Sequence, residues 1–211
     1  MEFRLVYQGE LLSEKTYNDT RQARRKHKQT IRRAFHEQLA ELWEADARLK
    51  GIGEHVTDVH DHAAGTHTRT SGFDEIGKLH ELAGLKWVPL VSDRWGVACN
   101  LNILFLRHEP KGGLVIAGDL DNRIKTLFDA LRMPKENELP DDLVPENEPS
   151  PYFCLLSDDK LITDFRVTAD RLLVPSKIEK ANPGVHLVIE VRTFIADHGK
   201  AQWYLMGTAH R

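Results

Sequence analysis

Gly113-Leu-Val-Ile-Ala-Gly-Asp-Leu-Asp-Asn-Arg-Ile-Lys125 is the stretch whose reading decides the fold. Its first six residues are an apolar strand-like run. From Asp121 to Leu131 the apolar positions Ile124, Leu127, Phe128 and Leu131 recur at helical spacing. A strand therefore passes into a helix across two acids. If Asp119 and Asp121 finish the strand, residues two apart point to one side and aim both carboxylates at one place. Lys125 follows four residues after Asp121, one helical turn along, so its ammonium reaches the same neighbourhood. A second acidic pair, Asp158-Asp159, opens another strand-like run over 160–167. Three or four carboxylates with one lysine suit a hard divalent cation, which takes carboxylate oxygens and leaves room for water and a substrate phosphate. The plainer reading of Asp119 and Asp121 is helix capping, and of Asp158 a turn. An EF-hand fails, because the required glycine and terminal glutamate are missing.

Outward from this stretch, residues 2–8 alternate as a first strand, and Asn18-Asp19-Thr20 supplies capping side chains for a long helix running toward Leu49. Ile31, Phe35, Leu39 and Leu42 mark its buried stripe. The Gly-, Thr- and His-rich segment 51–72 reads as a loop or partly disordered excursion, followed by a short helix over 73–82. Strands are predicted over 86–91 and 95–107, with a turn at 108–113. The helix after Asp121 stops before Met133-Pro134. Residues 134–151 hold five prolines and many acids and read as a solvated surface loop. Two strands close the pattern, over 161–173 and 186–194. Strands and helices mix without regular alternation, which predicts an α+β domain built on a mixed sheet packed with helices.

Composition sets the outer limits. With 211 residues, 41% hydrophobic and 29% charged, the chain has the makeup of one ordinary globular domain. Cys99 and Cys154 show no metal spacing and read as reduced thiols of a cytoplasmic protein. No signal-like or membrane-spanning apolar run is present in the sequence. The net charge of −3 hides two opposed segments. Between 21 and 33 lie seven cations without an acid; between 136 and 148 lie six acids without a cation. The first reads either as a solvated helix face or as a nucleic-acid footprint through Arg21, Arg24, Arg25, Lys28 and Arg32. His55, His60, His62 and His67 read as a polar loop before a metal site, since no cysteine or helical His spacing accompanies them. Trp43, Trp87, Trp95 and Trp203 read as core or interface residues.

The run Asp119-Leu-Asp-Asn-Arg-Ile-Lys125, continued by Phe128-Asp-Ala-Leu131 and then by Asp158-Asp159, resembles the RusA family of Holliday junction resolvases. The likeness covers residues 95–196. The resemblance implies a RusA-like catalytic core there, preceded by residues 1–94 (strand, basic helix and His-rich loop) packed on it and followed by a tail at 197–211. It implies Asp119, Asp121 and Asp159 as metal-binding catalytic carboxylates, Lys125 as a catalytic lysine, and one or two Mg²⁺ ions. Asn122 and Asp158 are expected to support them from behind. A homodimer that cuts branched DNA with paired sites is the expected assembly. Because Ile116-Ala117-Gly118 precedes Asp119 where the family commonly carries cations, phosphate contacts are expected from the basic helix instead. Alternatives with the same residues are a metal-dependent nuclease on flaps, single strands or RNA, and a nucleic-acid-binding protein of this fold without activity.

Overall fold

The computed structural model describes residues 1–12, 21–61, 66–107, 119–173 and 184–200. The elements follow in the order β1 (Glu2–Gly9), α1 (Arg21–Ala45), α2 (Ala47–Glu54), β2 (Val56–Asp61), β3 (Thr66–Ser71), α3 (Gly72–Leu79), β4 (Glu81–Leu82) and β5 (Leu85–Val91). After these come β6 (Val97–Arg107), α4 (Asp119–Leu131), β7 (Tyr152–Leu156), β8 (Ile162–Arg171) and β9 (Val185–Ile195). The fold is α+β, with mixed sheets packed against helices. The main sheet has the order β1-β9-β6-β8; β9 runs antiparallel to both its neighbours, and β6 and β8 are parallel. A second sheet, β4-β5-β7, contains the parallel pair β5 and β7.

Alternation along β6 and β9 turns Leu101, Ile103 and Phe105, and Leu187, Ile189 and Val191, to one buried face. Helix α1 lies on the core through Ile31, Phe35, Leu39 and Trp43, and burial of each side chain stabilises by about 2 kcal/mol. Trp43 takes the place expected for Leu42, because the Phe73 and Phe153 rings meet it at 5.5 and 5.8 Å. One apolar core joins β1, α1, both larger sheets and α4, so it crosses the boundary drawn at residue 94.

At the outer edge of β1, Gln38 of α1 behaves as a strand would. Its Oε1 accepts from the Val6 N–H at 2.8 Å, and its Nε2 donates to the Val6 carbonyl at 2.7 Å. Both backbone groups that Val6 turns outward are thereby satisfied.

Several expectations are corrected. The first helix does not run to Leu49. Asp46 leaves helical geometry and its side chain accepts from the Arg48 and Leu49 amides at 3.0 and 3.2 Å, which ends α1 and caps α2. Segment 51–72 is not one loop: α2 continues to Glu54, and β2 and β3 pair as an antiparallel hairpin. Its glycines mark close packing. A Cβ on Gly53 would sit 2.0 Å from the Phe73 ring, and one on Gly72 would sit 1.9 Å from the Ile52 carbonyl oxygen. The helix expected to reach residue 82 ends at Leu79, and β4 follows at Glu81. Strand β7, with five consecutive buried residues, is an element for which no expectation was formed. The expected cap at 18–20, the turn at 108–113, the strand at 113–118 and Trp203 lie outside the described residues.

Candidate active site along α4

Helix α4 carries Asp121 and Lys125 on its solvent side and buries Ile124, Leu127 and Leu131 as the spacing predicts. The helix already includes Asp119. The pleat argument, which placed Asp119 and Asp121 at the end of a strand, is therefore replaced by helical geometry, in which positions two apart differ by about 200° around the axis. The Asp119 side chain lies outside the described residues. Asp121, Lys125 and Phe128 fall at i, i+4 and i+7 and form one stripe along α4. Asn122 sits at the edge of this stripe, half-buried.

The second acidic pair reaches α4 from a different direction. A short 3₁₀ turn, Asp159–Leu161, packs against α4 and leads into β8. Asp158 caps this turn: its Oδ1 accepts from the Lys160 N–H at 3.0 Å, and this bond first of all holds its carboxyl below the ordinary range. That agrees with the turn reading of Asp158. Asp159 is exposed, with its Oδ2 3.8 Å from Arg132 Nε just past the end of α4. Arg132 also bonds Asp129, which lies eight residues, or roughly 12 Å along the axis, beyond Asp121. Asp159 is thus held toward the far end of α4 from Asp121. Among the described residues no three His, Cys, Asp or Glu side chains gather as a metal group. Asp121 and Asp159 are each solvent-facing carboxylates, the ligand type magnesium takes, but in this arrangement they stand toward opposite ends of α4 and are not brought to one ion.

Beneath the stripe lies a charge network that sequence reasoning assigned only in part. Asp129 is buried, accepting from Lys28 Nζ at 2.6 Å and from Arg132 Nη2 at 2.7 Å. Burial alone would raise its carboxyl, but the two cations outweigh it and hold the group below the ordinary carboxylate range. Arg132 makes a two-point bond to Glu138 at 2.7 and 2.9 Å. Arg32 is 2% exposed and donates through Nη2 to the Asp129 carbonyl at 3.0 Å, while its Nε has no partner among the described residues.

The basic helix meets the acidic loop. Arg25 pairs with Asp141, Lys26 with Asp142 at 2.6 Å, and Arg33 with Glu148, whose side chain is buried. Leu139 is buried with Trp87 and Tyr152, so the loop is anchored as well as solvated. Of the five residues expected to bind nucleic acid, Arg32 is removed from the surface by burial, and Arg25 and Lys28 are largely covered, paired with exposed Asp141 and buried Asp129 respectively. Arg21 stays exposed and Arg24 half-exposed. The signal was present in the sequence: a run of cations and a run of acids of nearly equal number, each without internal compensation.

Both cysteines are buried and unpaired, and burial pushes the Cys99 thiol up to about 12. His55 is exposed; the side chains of His60, His62 and His67 lie outside the described residues. Among the described residues no helix is long and apolar enough to cross a membrane. No family model matches the chain, and no match is found among curated proteins or solved structures.

Proposed function

We propose that the chain is a cytoplasmic, Mg²⁺-dependent endonuclease similar to the RusA resolvases, acting as a homodimer on branched DNA, with four-way junctions as the preferred substrate. The observation that carries this reading is the stripe on α4, where exposed Asp121 and Lys125 stand one turn apart in the order of the family motif and the Asp159 turn packs against the same helix. Asp119, Asp121 and Asp159 would hold magnesium, with Asn122 and Asp158 supporting them. When bound, the ion supplies charge neutralisation at the phosphate and lowers the pKa of a water molecule.

The chain's own residues supply the rest. Lys125 places a positive charge beside the phosphate and stabilises the extra negative charge that builds as phosphorus becomes five-coordinate. Asp121 faces solvent at the first turn of the helix, where a cation could reach its carboxylate without a change of fold. Arg21 and Arg24 extend the positive surface along α1 for the phosphate backbone.

A labelled four-way junction is incubated beside a linear duplex of the same sequence, in Mg²⁺ and in EDTA, with wild type and Asp121→Asn. Paired nicks on the junction alone, dependent on Mg²⁺ and lost in the variant, are expected. Cleavage retained by Asp121→Asn would overturn the assignment.

A further inference from the structure

Phe165 of β8 is 52% exposed, yet its ring is not adrift. Phe128 of α4 holds it at a centroid distance of 5.2 Å with the rings at 86°. Phe128 belongs to the Asp121–Lys125 stripe, three residues or about 4.5 Å along the axis beyond Lys125. A large, half-exposed aromatic therefore borders the stripe of α4 that carries Asp121 and Lys125. Single exposed apolar residues are common and by themselves mean little. This one differs in that its ring packs edge-on against Phe128, a residue of the helical stripe that also carries exposed Lys125.

We propose that Phe165 is a stacking platform for an unpaired or splayed nucleobase of the bound nucleic acid, and that it confers preference for branched over continuous duplex substrates. This deepens the nuclease reading above and rests on it. The chemistry is complementary: Lys125 attracts the phosphate, and Phe165, packed on Phe128 one turn along α4 from that lysine, offers an apolar face to a base of a nearby nucleotide. Stacking on an aromatic accepts any base, because every base has a π-face. A base inside an uninterrupted duplex cannot reach such a ring, whereas one at a branch point is already partly unstacked. Because Phe128 fixes the Phe165 ring beforehand, little rotamer freedom is lost when a base arrives.

The test uses the full chain in EDTA and a forked DNA carrying 2-aminopurine next to the cut site mapped for the wild type. Binding is followed by anisotropy and by 2-aminopurine fluorescence, for wild type, Phe165→Leu and Phe165→Trp, with thermal melting and sedimentation as controls. Wild type is expected to quench the fluorophore. Phe165→Leu should lose the quenching and bind the fork roughly tenfold or more weakly, while binding a linear duplex as before. Phe165→Trp should restore both. Unchanged fork affinity and fluorescence in a folded Phe165→Leu would overturn the stacking role and leave the nuclease reading standing. A change in sedimentation mass on Phe165→Leu would also overturn it, by assigning the ring to contact with a second copy. A wild type that binds no DNA of any form removes both readings together.

Discussion

Asp129 and Arg132, three residues apart at the end of α4, are bonded at 2.7 Å with both side chains buried. The same aspartate holds Lys28 of α1 at 2.6 Å, so one carboxylate ties the two helices together. Removing it leaves two cations in a poorly solvated site. Asp129→Asn should destabilise the protein by about 3–5 kcal/mol in urea unfolding at neutral pH, the range for breaking a buried pair from one side. The pH dependence has a definite sign. A carboxyl held below its ordinary range contributes stability above that range and loses it as pH falls through the depressed value. Wild type should therefore lose stability more steeply than the variant as pH falls below about 4. Parallel curves would refute the linkage.

A second pH effect arises in α1. The Nδ1 of His36 accepts from the Phe153 N–H at 2.9 Å, which requires that nitrogen to be unprotonated. Burial lowers its pKa and outweighs the opposing contributions. A base held below its ordinary value contributes stability above about pH 6.5 and loses it as the solution becomes more acidic. His27, which accepts from the Leu12 N–H, is shifted in the same direction by burial. Melting temperatures between pH 7.5 and 5 should fall in the wild type and fall less in His36→Gln. An identical slope in both would assign the effect to His27 and the other histidines.

On α4, Lys125→Ala should lower the cleavage rate on a four-way junction by about 100-fold, the effect of removing one group that stabilises transition-state charge. Asp121→Asn should lower it further, to background. Both positions are exposed, so melting temperatures should stay within about 2 °C of the wild type. Rates measured under single-turnover conditions decide the matter; an unaltered rate in Lys125→Ala would exclude the lysine from the chemistry.

The acidic loop offers a contrast between apolar and ionic anchoring. Asp141 and Asp142 are largely exposed in their pairs with Arg25 and Lys26, so the double change to Asn should leave the urea midpoint nearly unchanged. Leu139→Ala, which empties a site beside Trp87 and Tyr152, should cost about 2–4 kcal/mol. Urea denaturation of the two variants ranks the contributions, and a larger loss from the ionic pair would reverse this account.

Much of the framework was legible where one face is buried and the other wet. Strands β1, β6 and β9 alternate, and the α4 positions Ile124, Leu127 and Leu131 recur at helical spacing and are buried as expected. Strand β7 escaped notice for a physical reason. Tyr152 to Leu156 are all buried, so no period of two is written into them, and they directly follow a proline-rich segment that reads as loop. The hairpin of β2 and β3 was hidden by polar residues and by glycines that serve close packing. At the candidate site, the helical placement of Asp121 and Lys125 was legible and the arrangement of the groups around them was not. Asp121 and Lys125 share a face because local helical spacing fixes it. Asp159 is oriented by Arg132, a contact across 27 positions that no local pattern encodes. Likewise, the pairing of the basic helix with the acidic loop joins residues more than a hundred positions apart.

The Gln38 carboxamide that satisfies Val6 has a consequence for how copies of the chain can meet. An open sheet offers two borders, and identical molecules joined border to border through both would propagate without limit. Here the β1 border is plugged at its centre by a side chain of the same molecule, leaving β8 as the border of this sheet without such a plug among the described residues. Any edge-to-edge joining of such sheets would be confined to the β8 border. A leucine at position 38 would leave the Val6 N–H and carbonyl without their side-chain partner and open the β1 border as well.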